Sequence, residues 1–138
     1  IYTFMGDLDG LAIRYASASP DQEKLQAEVT EILEKECAAA KAADVQTWNR
    51  YSDEFHLVFY RYCNNSRLAE SAERLRSGIS IFSNQYCRET VIQTRIDEEH
   101  LAIFQAYKDG DIEKAVQMMK THLNDSLNYA LRFLPKTF

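Results

Sequence analysis

Only three histidines occur in the 138 residues, His56, His100 and His122, and neutral imidazole is the side chain most often used to hold zinc and similar divalent ions. His100 stands four residues from both Ile96 and Phe104, and His122 stands three after Met119 and seven after Ala115. Such spacings put each ring on the stripe of a helix that faces a bundle interior. His56 follows Phe55 and precedes Cys63 by seven residues, which leaves its side open. Taken singly, a ring on an inward stripe reads as a hydrogen-bonded core residue. Three of them on three long helices are what a bundle core needs for a metal site, with ligands converging from facing helices.

The elements that must carry these rings are helices. Gly (4) and Pro (2) are scarce and apolar residues make up 46% of the chain, which favours an all-α fold with a real core over an all-β or disordered one. Apolar periodicity predicts six helices, over 4–17, 20–42, 45–63, 67–86, 89–108 and from Asp111 to before Pro135, packed as an antiparallel bundle of six or seven. Ser19, Pro20 and Gln22 predict a capping box opening the second helix. Asp44 is expected to cap the third, Asn64-Asn65-Ser66 to turn into the fourth, and Gly110-Asp111 to close the fifth and open the sixth.

Net charge is −5 with signs mixed along the chain, so this segment offers no basic stripe to nucleic acid. No apolar run reaches the roughly 18 to 20 residues of a membrane span, and no signal segment opens the chain. Cys37, Cys63 and Cys87 are odd in number and form no CxxC pair, the usage expected of a reducing cytoplasm. The start at Ile1, without Met, is read as the start of a piece of a longer protein.

Phe55-His56, Asn65, Leu68, Glu99-His100, Gly110-Asp111, Ala115, Met119 and His122-Leu123 follow one another in the order and spacing of a known pattern, with Leu8-Asp9-Gly10-Leu11-Ala12 matching its opening more loosely. The chain resembles the FadR C-terminal (FCD) domain, the effector-binding module of GntR-family transcription regulators. That resemblance implies one domain over 1–138 that binds an effector and forms a homodimer, with a winged helix-turn-helix DNA-binding domain upstream and DNA contacted only there. It also implies a divalent ion (zinc, nickel or manganese) held by His56, His100 and His122 beside a small carboxylate effector.

Two departures stand out. The family's fourth ligand, an aspartate four residues before the first histidine, is Ser52 here, a neutral and poor ligand that predicts weaker occupancy. Asp53, about 60° to the other side of the helix, either reaches the ion, directly or through a water, or is an ordinary solvated residue. The family arginine near the N-terminus is replaced by Met5. Arg88 and Arg95, with Gln93, are the candidates to capture an effector carboxylate in its place; Tyr62, Tyr86 and Trp48 are candidate pocket walls. Each imidazole should be oriented by a carbonyl or carboxylate, and Glu99 is a poor candidate because it points about 100° from His100 around their helix. A sensor of acyl or other apolar ligands without metal, a metal-dependent hydrolase and an interaction module are the rival readings; no HExxH-type pairing supports the hydrolase.

Overall fold

The computed structural model describes residues 2–86 and 89–132, apart from the side chains at 2, 79–86, 130 and 131. Six α-helices account for these residues: α1 (Tyr2–Ser17), α2 (Gln22–Lys41), α3 (Val45–Arg61), α4 (Ser66–Tyr86), α5 (Thr90–Lys108) and α6 (Ile112–Arg132). No strand occurs among the described residues. The fold is the expected all-α bundle, and the α4 register runs unbroken. Helix α1 packs mainly on α6, and α2 lies against α3 and α5.

Most helix ends follow local chemistry. Asp44 accepts hydrogen bonds from the Thr47 amide (3.2 Å) and hydroxyl (2.7 Å) at the start of α3. Asn65 accepts from the Leu68 amide at 3.0 Å to open α4. Gly110 takes φ +80°, the left-handed turn that glycine adopts without a Cβ penalty. The start of α2 differs from expectation. Helix begins at Gln22, and the Gln22 side-chain Nε2 donates back to the Ala16 and Ser19 carbonyls (2.7 and 2.9 Å). Gln22 thus satisfies the carbonyl end of α1 in place of a capping box.

The core is continuous through all six helices, built on Met5, Ile13, Leu25, Trp48, Phe55, Phe59, Ile103 and Met119. The inward stripe of α1 runs through Met5, Leu8, Asp9, Ala12, Ile13 and Ala16, and Tyr15 lies off it at 45% exposed. Packing of α1 on α6 is close enough that a Cβ added to Gly10 would lie 3.0 Å from Val116 Cγ1. One added Cβ at Gly78, on α4, would meet nothing within 4 Å. Gly10→Ala should therefore cost about 1–2 kcal/mol through overpacking, and Gly78→Ala should add about 0.4–1 kcal/mol by restricting the unfolded chain. Urea melts of the two variants check this; equal effects would mean that α1 and α6 are not in close contact.

Candidate metal centre

The three histidines come from α3, α5 and α6, and the packing of those helices brings their rings together. Ring centroids lie 5.0 Å apart for His56 and His100, 5.2 Å for His56 and His122, and 4.7 Å for His100 and His122. One nitrogen from each lies within 4.8 Å of the others, and all three residues are buried. Phe55 stacks on His100 at 4.2 Å and closes one side.

Each ring is held from behind by a carboxylate on another helix. His56 Nδ1 meets Asp9 Oδ2 of α1 at 2.9 Å. His100 Nδ1 meets both oxygens of Glu36 of α2 at 3.1 and 2.9 Å. His122 Nδ1 meets Glu99 Oε1 of α5 at 2.8 Å. With ionised carboxylates each Nδ1 carries the donated proton, which leaves Nε2 as a bare lone pair. Two of these, on His100 and His122, face each other at 3.1 Å. Lone pairs at that distance repel unless something electropositive lies between them, either a proton or a metal ion. Three buried imidazoles with fixed tautomers therefore fit a divalent ion such as zinc, which accepts N donors and tolerates an open position.

The outer network keeps this arrangement rigid. Asp9 also accepts from the Tyr60 hydroxyl (2.5 Å) and from Arg76 Nη2 (3.0 Å), which offset the burial that drives its pKa up. Glu36 is fully buried, and burial pushes its pKa to about 7. Asp97 donates a hydrogen bond to Glu36, and burial and that neighbouring carboxyl raise its pKa to about 8. Asp97 Oδ1 accepts from Trp48 Nε1 at 2.9 Å. A chain Trp48–Asp97–Glu36–His100 thus runs from the core to the centre. Burial lowers the pKa of all three histidines, to about 3 for His100, which disfavours holding a proton in the centre and favours giving the ring nitrogens to a cation.

Other candidate residues are spread more widely. Ser52 is half-buried, and Asp53 is 39% exposed with Oδ1 3.9 Å from Arg76 Nη1. Gln93 is buried in α5. Arg95 lies over the Tyr129 ring and lines, with His122, a groove of about 510 Å³ between α5 and α6. Tyr62 lines a different cleft, of about 690 Å³, with Tyr15, Asp21 and Arg61. Trp48 belongs to the core and serves Asp97. Met5 is fully buried. Arg88, Cys87 and the Tyr86 side chain lie outside the described residues.

Glu99 corrects the expectation formed from its angle to His100. It does point away from its helical neighbour, but toward α6, where His122 needs an acceptor. Asp9, Glu36 and Asp97 were missed although they carried a signal. Asp9 is four after Met5 and three before Ala12, Glu36 is four after Ile32 and seven after Val29, and Asp97 is seven before Phe104. An acid on an otherwise apolar stripe must find a partner inside.

The family model described as the FCD domain matches residues 1–125. No curated protein and no solved structure matches the chain.

A carboxyl whose pKa is raised on folding binds more protons folded than unfolded, so stability falls as pH rises between the two values. For Glu36 and Asp97 that window runs from the ordinary 4.5 and 3.8 to about 7 and 8. Asp97→Asn keeps a donor for Glu36 and an acceptor for Trp48 but has no proton to lose. Metal-free wild type should therefore lose several degrees more of Tm between pH 5 and pH 8 than the variant does. The histidines, with lowered pKa, act in the opposite sense, costing stability below about 6.5 in both proteins. Parallel Tm curves would show that the two carboxyls do not share a buried proton.

Proposed function

The chain belongs to the FCD domain family, a family of regulatory, effector-binding domains, and we propose that it senses a small carboxylate at a divalent cation held by His56, His100 and His122. The observation that carries this reading is the facing pair of Nε2 atoms 3.1 Å apart, each on a ring whose Nδ1 is committed to a carboxylate. Zinc, nickel and manganese all accept such a donor set. The bound ion would supply a Lewis-acidic anchor for an oxygen anion.

The chain's own residues do the rest. Asp9, Glu36 and Glu99 fix the tautomers, so that only Nε2 is offered to the centre. Arg76 and Tyr60 hold Asp9 in place, and Phe55 excludes water from the His100 face. Ligand and anchor residues come from α1, α2, α3, α5 and α6, so a ligand that shifts one ring bears on five helices at once. Regulation requires the effector to favour one arrangement of these helices over another; a tenfold preference supplies about 1.4 kcal/mol of bias. In the intact protein we propose that this bias acts on a homodimer and passes to an upstream winged helix-turn-helix domain that contacts DNA. Arg95, Gln93, Arg88 and Tyr62 are the proposed effector contacts, with Ser52 or Asp53 beside the ion. No described helix is long and apolar enough to cross a membrane.

Adding zinc to metal-free protein should raise Tm, by the equivalent of about 2.7 kcal/mol at a hundredfold excess over Kd. His100→Ala should abolish that shift. Affinity should rise with pH, because the proton shared within the centre must leave when the cation enters. If chelation changes neither the melting nor the response to organic acids, the metal-anchored reading fails and a sensor of apolar ligands takes its place.

A further inference from the structure

A cation bound by three rings that are 0 to 5% exposed needs a way in and out. Of the three carboxylates that hold the rings, Asp9 is 1% exposed and Glu36 is 0%, both sealed behind the histidines they serve. Glu99 is 21% exposed. Both Glu99 and His122 line the groove between α5 and α6, about 510 Å³ in volume, whose walls include Ala102, Met118 and Thr121. Through Glu99, the most exposed of the three anchors, the groove connects the centre to water.

Resting on the metal-binding reading above, we infer that this groove is the passage through which a divalent cation reaches and leaves the histidines, with Glu99 as its gate. Glu99 has two partners within reach. Oε1 accepts a hydrogen bond from His122 Nδ1–H at 2.8 Å, and Oε2 lies 4.0 Å from Arg95 Nε one turn earlier on α5. A rotamer change that moves Glu99 from His122 toward Arg95 frees the His122 ring from its single anchor. The ring can then turn toward the groove without any backbone movement, which side-chain rotation permits on fast timescales.

Charge agrees with this direction of approach. Glu98, Glu99 and Asp125 face the groove against Arg95 and Lys114, an excess of one negative charge that attracts a cation at close range. The cleft on the α4 flank carries the same excess, Asp53 and Glu73 against Arg76, but there the buried Arg76 guanidinium lies between Asp9 and Asp53 (3.0 and 3.9 Å), a fixed positive charge in the path of any cation coming that way.

The test is the rate of loading and release of Co²⁺, followed by its visible absorbance on the metal-free protein, with EDTA driving release in the chelator-independent limit. Ala102→Phe fills the groove from α5, and Thr121→Trp fills it from the exposed face of α6, where misfolding is not at issue. Each should slow loading and release by the same factor, tenfold or more, and leave Kd within twofold, because a narrowed passage affects both directions alike. Ser77→Phe, in the cleft beside Arg76, should change neither rate. Unchanged rates in both groove variants, or slowing by Ser77→Phe alone, would overturn the passage while leaving the metal site standing. Wild-type protein that takes up no Co²⁺ would instead remove the metal-binding reading, and the passage with it.

Discussion

Two imidazole nitrogens face each other at 3.1 Å in the middle of the bundle, and each belongs to a ring whose other nitrogen is committed to a carboxylate. This pairing constrains the rest of the structure. Ionised, Asp9, Glu36 and Glu99 leave three neutral rings with their lone pairs turned inward, a configuration at ease only around a positive charge. Without a metal, a proton must do that work. A second buried proton sits behind His100, shared by Asp97 and Glu36, whose pKa values are both raised. The centre is thus a place where a proton and a metal ion compete, and burial makes the competition sharp.

Polar burial of this kind is costly unless every member is satisfied. Nearly every link is closed here by a residue of a different helix, which is why the bundle is held in one register. Trp48 of α3 reaches Asp97 of α5, which reaches Glu36 of α2, which reaches His100 back on α5. Tyr60 of α3 and Arg76 of α4 both meet Asp9 of α1. The apolar core around Phe55, Phe59 and Met119 supplies the drive to fold, and the acid–histidine links decide which helix faces which. A ligand acting on one ring can therefore be felt across the molecule through a contiguous physical network.

Much of this was legible before any coordinates. Helix number and extent followed from the 3.6-residue repeat and from Asp44, Asn65 and Gly110, because caps and turns depend on near neighbours. That two of the histidines face inward followed from the same repeat. Convergence of the rings did not, since it depends on how α3, α5 and α6 pack. Glu99 shows the limit most clearly: its angle to His100 on α5 was read rightly, but its partner sits on α6, and no spacing within one helix reports that. Asp9, Glu36 and Asp97 occupy stripe positions where an apolar residue belongs. The misfit is visible in the sequence, but the partners of these acids lie across the core on other helices, where spacing along one helix does not reach.

Histidine-selective ¹⁵N NMR during a zinc titration addresses the centre most directly, because the nitrogen shifts of imidazole separate Nδ1–H from Nε2–H and metal-bound from free. Protein saturated with one equivalent of zinc should show His56, His100 and His122 all protonated at Nδ1 and all coordinated through Nε2. Rings that keep their metal-free shifts, or that bind zinc through Nδ1, would contradict a centre built by three carboxylate-anchored histidines.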